Sequence, residues 1–299
     1  RSQAGFLKNI IVKNAFGTGQ VMVVLVTNGA RFPGGQARGR DFAQRIADQF
    51  AEVRSVAQVV ADAAGDMQHV ARGISRRGKA SIGSNTPEGN TIVLWGEPAI
   101  VDVLDGLKFR ISATSFYQVN PSQTVTLYRK AVEYAGLTGR ERVLDAYSGV
   151  GTVSLFMARA AREVYGIESV RTAVHDARAN AELNAITNAR FIEGRVERAL
   201  PALLREGVTF DVAVVDPPRA GCDREALLAL AGEAMGSDET RALGGVPRII
   251  YISCNPSTLA RDLAILSGLG YRIVEVQPVD MFPHTHHVET VVSMSRVDK

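Results

Sequence analysis

Apolar residues along the chain recur with two different rhythms, and the change between them falls near residue 115. Lys8 to Lys13 and Gln20 to Thr27 are β-branched runs flanking a turn that contains Gly17 and Gly19, which predicts a hairpin. Between about Arg40 and Ala51, Phe42, Ile46 and Phe50 recur every four residues and predict a helix. Residues 75–89 are rich in Gly, Ser, Arg and Lys and read as a loop; Thr91–Gly96 and Ala99–Leu107 supply further strand material. This front segment is an α+β unit, with a domain boundary expected at Ser115, so that residues 1–115 and 116–299 form separate domains.

From Asn120 onward strands and helices alternate. A helix at about 121–136 carries Val125, Tyr128, Val132 and Ala135 on one face. Strand 142–147 then meets a Gly-rich turn and helix 153–161. Strand 163–168 precedes a helix with Val170, Ala173, Val174, Ala177 and Ala181 along a single stripe. Strand 189–193, helix 197–205, strand 210–216, helix 223–233, strand 248–253 and helix 256–267 follow. Two strands, about 271–279 and 287–295, end the chain without a helix between them. Repeated βα units predict a parallel sheet with helices on both faces, and the helixless last pair predicts one antiparallel strand. The fold class is therefore α/β, a Rossmann-like sheet preceded by a smaller α+β domain.

Composition narrows this only slightly. With 46% apolar and 22% charged residues the chain is ordinary globular protein. No apolar run is long enough to span a bilayer, and no signal-peptide pattern opens the chain. The sequence starts at Arg1 in the middle of a strand-like pattern and reads as part of a longer protein. Two cysteines, Cys222 and Cys254, are too few for a disulfide framework or a four-cysteine metal site, so a reducing cytoplasm is expected. Net charge is +3, but residues 1–110 alone carry 14 Lys and Arg against 9 Asp and Glu. That excess suits a polyanion and equally suits a solvated surface.

The turn from Asp145 to Thr152 joins a strand to a helix and contains Gly149 and Gly151. Glycines there let a ligand approach the backbone. The dinucleotide pattern G-x-G-x-x-G is not met. A short turn with an acid ahead of it suits a nucleoside bearing an amino-acid tail better than a pyrophosphate. Glu168 closes the second strand, where a carboxylate can accept hydrogen bonds from both ribose hydroxyls. A capped turn with an incidental acid is the plainer alternative.

Three further segments carry candidate chemistry. Asp216-Pro217-Pro218-Arg219-Ala220-Gly221 leaves an apolar strand at its carboxyl end, where ligands of such sheets bind. Cys254 ends the next strand and is followed by Asn255 and Pro256, an N-cap and first-turn pair. The start of that helix favours a thiolate, the reactive form; a buried structural thiol is the alternative. Cys222 lacks this setting and reads as structural. In the segment Met281 to Thr290, Glu289 stands between Val288 and Thr290 and is either a paired structural carboxylate or a base in a partly dry site. His284, His286 and His287 lie nearby, but no carboxylate has ligand-like spacing and no metal is expected.

With these residues in place the chain resembles the RNA 5-methyluridine methyltransferase family. The likeness runs through Ser115–Pro121, Asp145–Thr152, Asp216–Gly221, Tyr251–Pro256 and Met281–Glu289, with Arg31–Gly35 and Asn90–Gly96 looking like the family's central, RNA-contacting domain. The TRAM domain and four-cysteine iron–sulfur cluster of many members are not found in these 299 residues. The resemblance implies S-adenosyl-L-methionine as cofactor, contacted by Gln118, Tyr147, Gly149, Thr152, Glu168 and Asp216. It implies Cys254 as nucleophile toward uracil carbon 6, Glu289 as the base at carbon 5, and Arg219 or Asp216 at the polar edge of the base. Arg195 stands where the family often has Asp or Asn, and Ser148 replaces a frequent Cys. The implied partner is RNA acting as a monomer's substrate, with 23S ribosomal RNA preferred and transfer RNA the alternative. A cytosine-5 methyltransferase and a non-catalytic RNA-binding or ribosome-assembly factor are the rival readings.

Overall fold

The computed structural model describes residues 5–61, 91–233 and 244–297. The loop expected at 75–89 lies outside the described residues. The chain divides into two compact units, Arg1–Tyr117 and Gln118–Lys299.

In the first unit β1 (Leu7–Ala15) and β2 (Gln20–Thr27) form the expected antiparallel hairpin. Helix α1 (Gln36–Gln49) crosses over to β3 (Val53–Val60), which lies parallel to β2, and β4 (Thr91–Gly96) pairs antiparallel with β3. The sheet order is β1-β2-β3-β4. Strand β3 has no counterpart among the expected elements. Its residues are buried on both faces: Ala57 and Val59 join one core with Met22, Val24, Ile100 and Ile111, while Val53 and Val56 join another with Leu25, Ala43 and Leu94. A doubly covered strand does not alternate, so it gives no period-2 signal. The stretch read as one strand from Ala99 is a second hairpin, β5 (Ala99–Leu104) and β6 (Leu107–Ser112). Asp105 and Gly106 turn it with φ of 51° and 81°, both left-handed, as two-residue hairpin turns require. Helix α1 starts four residues earlier than expected, and it buries Gly39 and Ala43 while Phe42 and Phe50 stay exposed. Ile46, the middle residue of that recurrence, packs against the core of Leu25, Val56 and Leu94, so the recurrence straddles the edge of the buried face.

In the second unit the elements are α2 (Pro121–Ala135), β7 (Arg142–Asp145), α3 (Thr152–Ala158), β8 (Glu163–Glu168), α4 (Arg171–Leu183), β9 (Ala189–Glu193), α5 (Val196–Arg205), β10 (Val212–Val215), α6 (Arg224–Ala231), β11 (Arg248–Ser253), α7 (Pro256–Gly268), β12 (Tyr271–Val279) and β13 (Glu289–Arg296). They build a seven-stranded sheet of order β12-β13-β11-β10-β7-β8-β9. Pairings from β11 through β9 are parallel, and β13 runs antiparallel between β11 and β12. Leu144, Ala213, Val215, Ile249 and Tyr251 point into one core with α5, α6 and α7. From β7 the chain moves outward to β8 and β9, then returns to β10 on the other side. That reversal opens a crevice beyond the carboxyl ends of β7 and β10, the place where such sheets bind ligands.

Local chemistry explains the helix entries. Asn120 caps α2, its side chain accepting from Gln123 N–H at 3.3 Å, with Pro121 following at the first turn; Gly136 ends the helix in the left-handed region. Asn255 and Pro256 repeat the device for α7, with Ser257 N–H donating to Asn255 Oδ1 at 3.1 Å. Gly96 has φ of 73°, and a Cβ there would collide with the carbonyl of Arg54 on the neighbouring strand. Gly96→Ala is therefore expected to destabilise the first unit by more than about 1 kcal/mol. A urea midpoint indistinguishable from the parent protein's would contradict this.

Candidate active site

The residues singled out in the sequence line the carboxyl edge of the seven-stranded sheet. Asp145 ends β7, Glu168 ends β8, Asp216 follows β10 and Cys254 follows β11. Because β13 is antiparallel, its first residue, Glu289, lies at that same edge. Gln118 precedes α2, and Arg219 sits in the loop after β10.

The Gly-rich turn is shaped by Gly149 and Gly151, with φ of 53° and 84°. A Cβ on Gly151 would press on Phe191 and Ala177, whereas one on Gly149 would meet nothing within 4 Å. Gly151 thus serves packing, and Gly149 faces open space. Glu168 is anchored by three donors: Gly149 N–H at 3.1 Å, Val170 N–H at 2.7 Å and Ser169 Oγ at 3.2 Å. A carboxylate accepts about four hydrogen bonds, so one place remains, and a second opens if Ser169 turns away. Asp145 is fully buried and accepts from Ser154 Oγ at 2.6 Å; burial, helped by the Glu168 carboxylate, pushes its acid up to about 6. Ser148 Oγ is buried with no hydrogen-bond partner among the described residues. An open glycine face, spare acceptor capacity on Glu168 and an unsatisfied hydroxyl fit a nucleoside cofactor such as S-adenosyl-L-methionine.

Tyr128 joins Gln118 to Thr152 at the start of α3 and was visible in the sequence only as a member of a helical stripe. Its ring packs edge-on against Phe156 at 5.2 Å, and its hydroxyl lies 3.3 Å from Thr152 Oγ1 and bonds the Gln118 side chain. Burial, then the nearby Asp216 carboxylate, raises the phenol above its ordinary value. Tyr147 is half-buried, and its hydroxyl engages the Cys222 thiol close to Asp223 and Glu197. Cys222 itself is buried, and that burial pushes its thiol up to about 12. Arg195, the residue that departs from the family pattern, pairs with Glu197 and, at 2.9 Å, with Asp223.

Cys254 is half-buried at the mouth of α7. The β11–β13 register ends at the Ser253–Thr290 pair, so Cys254 and Glu289 are the next residues of the two segments at that edge. Glu289 is 4% exposed, and its burial raises the carboxyl to about 7 against the pull of the Arg219 guanidinium, which favours the anion. Asp216 is raised well above the carboxylate range by burial first, then by Glu289 and Asp145. Asp216 therefore favours its protonated form more than a free carboxyl does, beside the Glu289 carboxyl. His287 is turned toward His286 and Arg219, and its imidazolium is disfavoured by burial and then by those neighbours. Among the described residues no group of three or more His, Cys, Asp or Glu is arranged to hold a metal ion, and no helix is long and apolar enough to cross a membrane.

Sheet order, the antiparallel β13 and the ligand turn at the switch point define a Rossmann-like methyltransferase domain. The family model described as tRNA (Uracil-5-)-methyltransferase matches residues 101–297, and the chain belongs to that family. An uncharacterized RNA methyltransferase of Caldanaerobacter subterraneus is 44% identical over 98% of the chain, and one of Clostridium acetobutylicum is 43% identical over all of it. The chain spans 58% of the length of each of these curated relatives. Among solved structures, the Pyrococcus abyssi tRNA (uracil-54, C5)-methyltransferase in complex with S-adenosyl-L-homocysteine is 31% identical. It superposes with a TM-score of 0.66, covering 97% of this chain and 60% of its own. The M. jannaschii tRNA m1G37 methyltransferase shares the fold at 13% identity and a TM-score of 0.53, over 99% of this chain and 77% of its own.

The Glu289 carboxyl gives a pH-dependent cost. Its folded value is above the unfolded one, so folding takes up a proton, and stability is lost as pH rises from about 4.5 to about 7. Glu289→Gln removes the ionisation. It should leave stability near pH 4 little changed and raise it at pH 8 by up to about 3 kcal/mol. Urea midpoints at the two pH values measure the difference; an equal effect at both would show that the carboxyl's burial carries no such cost.

Proposed function

We propose that this protein transfers a methyl group from S-adenosyl-L-methionine to carbon 5 of a uridine in RNA, with Cys254 as nucleophile and Glu289 as base. The observation that supports the reading most directly is the end of the β11–β13 register, which leaves Cys254 and the buried Glu289 as the next residues at one sheet edge, with Asp216 and Arg219 close to Glu289.

Carbon 5 of uracil is a poor nucleophile until carbon 6 is attacked. Cys254 Sγ adds to carbon 6, forming the S–C bond and moving the ring's C5–C6 electron pair toward carbon 5 and O4. The start of α7 favours negative charge at the sulfur before it adds. The Arg219 guanidinium, and Asp216 with its carboxyl biased toward protonation, suit the developing charge on the base's oxygen. The cofactor supplies an electrophilic methyl group when bound. Gln118, Thr152 and Tyr128 at one end, and Gly149 and Glu168 at the other, are the residues that would hold it. Glu289 then takes the carbon 5 proton, the C5–C6 double bond re-forms, and Cys254 leaves as thiolate. With a carboxyl near 7, a large fraction of Glu289 is the base form at neutral pH. A uridine must leave its stack to reach Cys254, which favours single-stranded or looped RNA.

For the substrate, the resemblance of residues 118–121 and 149–152 to the ribosomal branch supports 23S ribosomal RNA. The likeness to a transfer-RNA enzyme at 31% identity supports the alternative. Mass-spectrometric mapping of 5-methyluridine after incubation with each unmodified RNA decides between them. Product in ribosomal RNA alone is expected; product in transfer RNA alone would move the substrate there.

Cys254→Ala should lose methyl transfer at least about 1,000-fold while still binding the cofactor. Glu289→Gln should keep the first bond and block proton removal, so a covalent RNA–protein adduct accumulates on denaturing gels. Turnover by the alanine variant would remove Cys254 from the mechanism, and a missing adduct would remove Glu289.

A further inference from the structure

The loop after β10 carries Asp216 and Arg219 and has no regular structure of its own. Its far half is nonetheless held from α7 and its cap, at the backbone of Arg219, Ala220 and Cys222. Asn255 Nδ2 and Thr258 Oγ1 both donate to the Arg219 carbonyl, at 3.1 and 3.2 Å. Arg261 Nη2 donates to the carbonyls of Ala220 and Cys222, at 2.9 and 3.2 Å. Asp262 is fully buried, and its Oδ2 accepts from Cys222 N–H at 2.7 Å and from the Tyr251 hydroxyl at 2.6 Å. Its Oδ1 accepts from Arg261 Nε at 2.8 Å, which orients the guanidinium toward the loop. Gly221 has φ of 77°, and a Cβ there would stand 2.6 Å from Asp262 Oδ2, so only glycine passes beneath the clamp.

These bonds far exceed what a surface loop needs for its own order. Burying a carboxylate is costly unless every lone pair is answered, and Asp262 answers them with one phenol, one backbone amide and one guanidinium. The helix that supplies the grip begins two residues after Cys254. The loop and the nucleophile are thereby referred to the same rigid element.

We propose that Arg261 and Asp262 form a latch that positions Arg219 and Asp216 relative to Cys254, making both of them positioning residues for methyl transfer. The proposal rests on the reading given under Proposed function. The latch touches neither cofactor nor uracil. It fixes the distance between the group that adds to carbon 6 and the groups that face the base's oxygen. A lysine at 261 retains the charge but lacks the fork needed to hold Asp262 and two carbonyls together.

Arg261→Ala, Arg261→Lys and Asp262→Asn are compared with the parent protein in steady-state methyl transfer. Arg261 is about half exposed, so its variants test the latch even if Asp262→Asn does not fold. The expected result is a kcat lowered about 10- to 100-fold in Arg261→Ala, with the KM for S-adenosyl-L-methionine changed less than about 3-fold. Arg261→Lys should recover little of the loss. A kcat within about 2-fold of the parent's in Arg261→Ala, or full recovery by lysine, overturns the latch. A parent protein that methylates no RNA fails the functional reading itself. That result is distinct from an active parent with unaffected variants.

Discussion

Much of the site depends on how β13 is threaded between β11 and β12. Strand pairing has a period of two, so a slip by one residue would turn Glu289 to the opposite face, away from Asp216 and Arg219. The register is held where the core is densest. Val291, Val292 and Met294 are fully buried, and Arg248 through Ser253 pair with Ser295 through Thr290 without a bulge. The ring of Tyr271 on β12 adds a second hold, its hydroxyl donating to the carbonyls of Val246 and Leu230. An antiparallel strand also does something that a parallel one cannot. It brings its amino end to the edge where the other strands finish, so a residue at its first position joins residues at their last.

Along that edge four carboxyls, Asp145, Glu168, Asp216 and Glu289, gather with one guanidinium, Arg219, beside them. They cannot all ionise cheaply, and the structure divides them by environment. Glu168 accepts hydrogen bonds from the Gly149 and Val170 N–H groups. Asp216, beside the Glu289 and Asp145 carboxyls, is pushed toward its protonated form. Glu289 lies between these limits because Arg219 offsets part of its burial. Burial and neighbours thereby bias the buried carboxyls toward the proton to unlike degrees. The same burial that brings Glu289 into the useful range is a loss of stability at neutral pH.

The βα alternation and the antiparallel end of the sheet were legible because their periods differ sharply and their caps, Asn120-Pro121 and Asn255-Pro256, are local. Strand β3 was not, since burial on both faces erased its alternation, and the Asp105-Gly106 turn was hidden inside one apolar run. Candidate residues next to a glycine turn or a strand end, such as Glu168, Asp216 and Cys254, could be named from position. Tyr128 could not: on a helical stripe its ring looks like core, and its hydroxyl acquires meaning only when Gln118 and Thr152 fold around it. Arg261 and Asp262 were equally silent. Two adjacent charges on a helix read as solvent-facing until the fold buries one of them completely.

Arg195 shows the same limit from the other side. By pattern it looked like a substitution within the cofactor's surroundings. In the fold it reaches across to Asp223, one residue beyond Cys222, whose amide is held by Asp262. The loop after β10 is therefore secured at its far end from two directions, by α7 and by the start of α5. Two prolines at its near end remove donors and restrict the backbone without supplying any attachment. Stiffness at one end and side-chain anchors at the other leave few conformations for the residues between. Arg219, whose own carbonyl is held by Asn255 and Thr258, lies within that span.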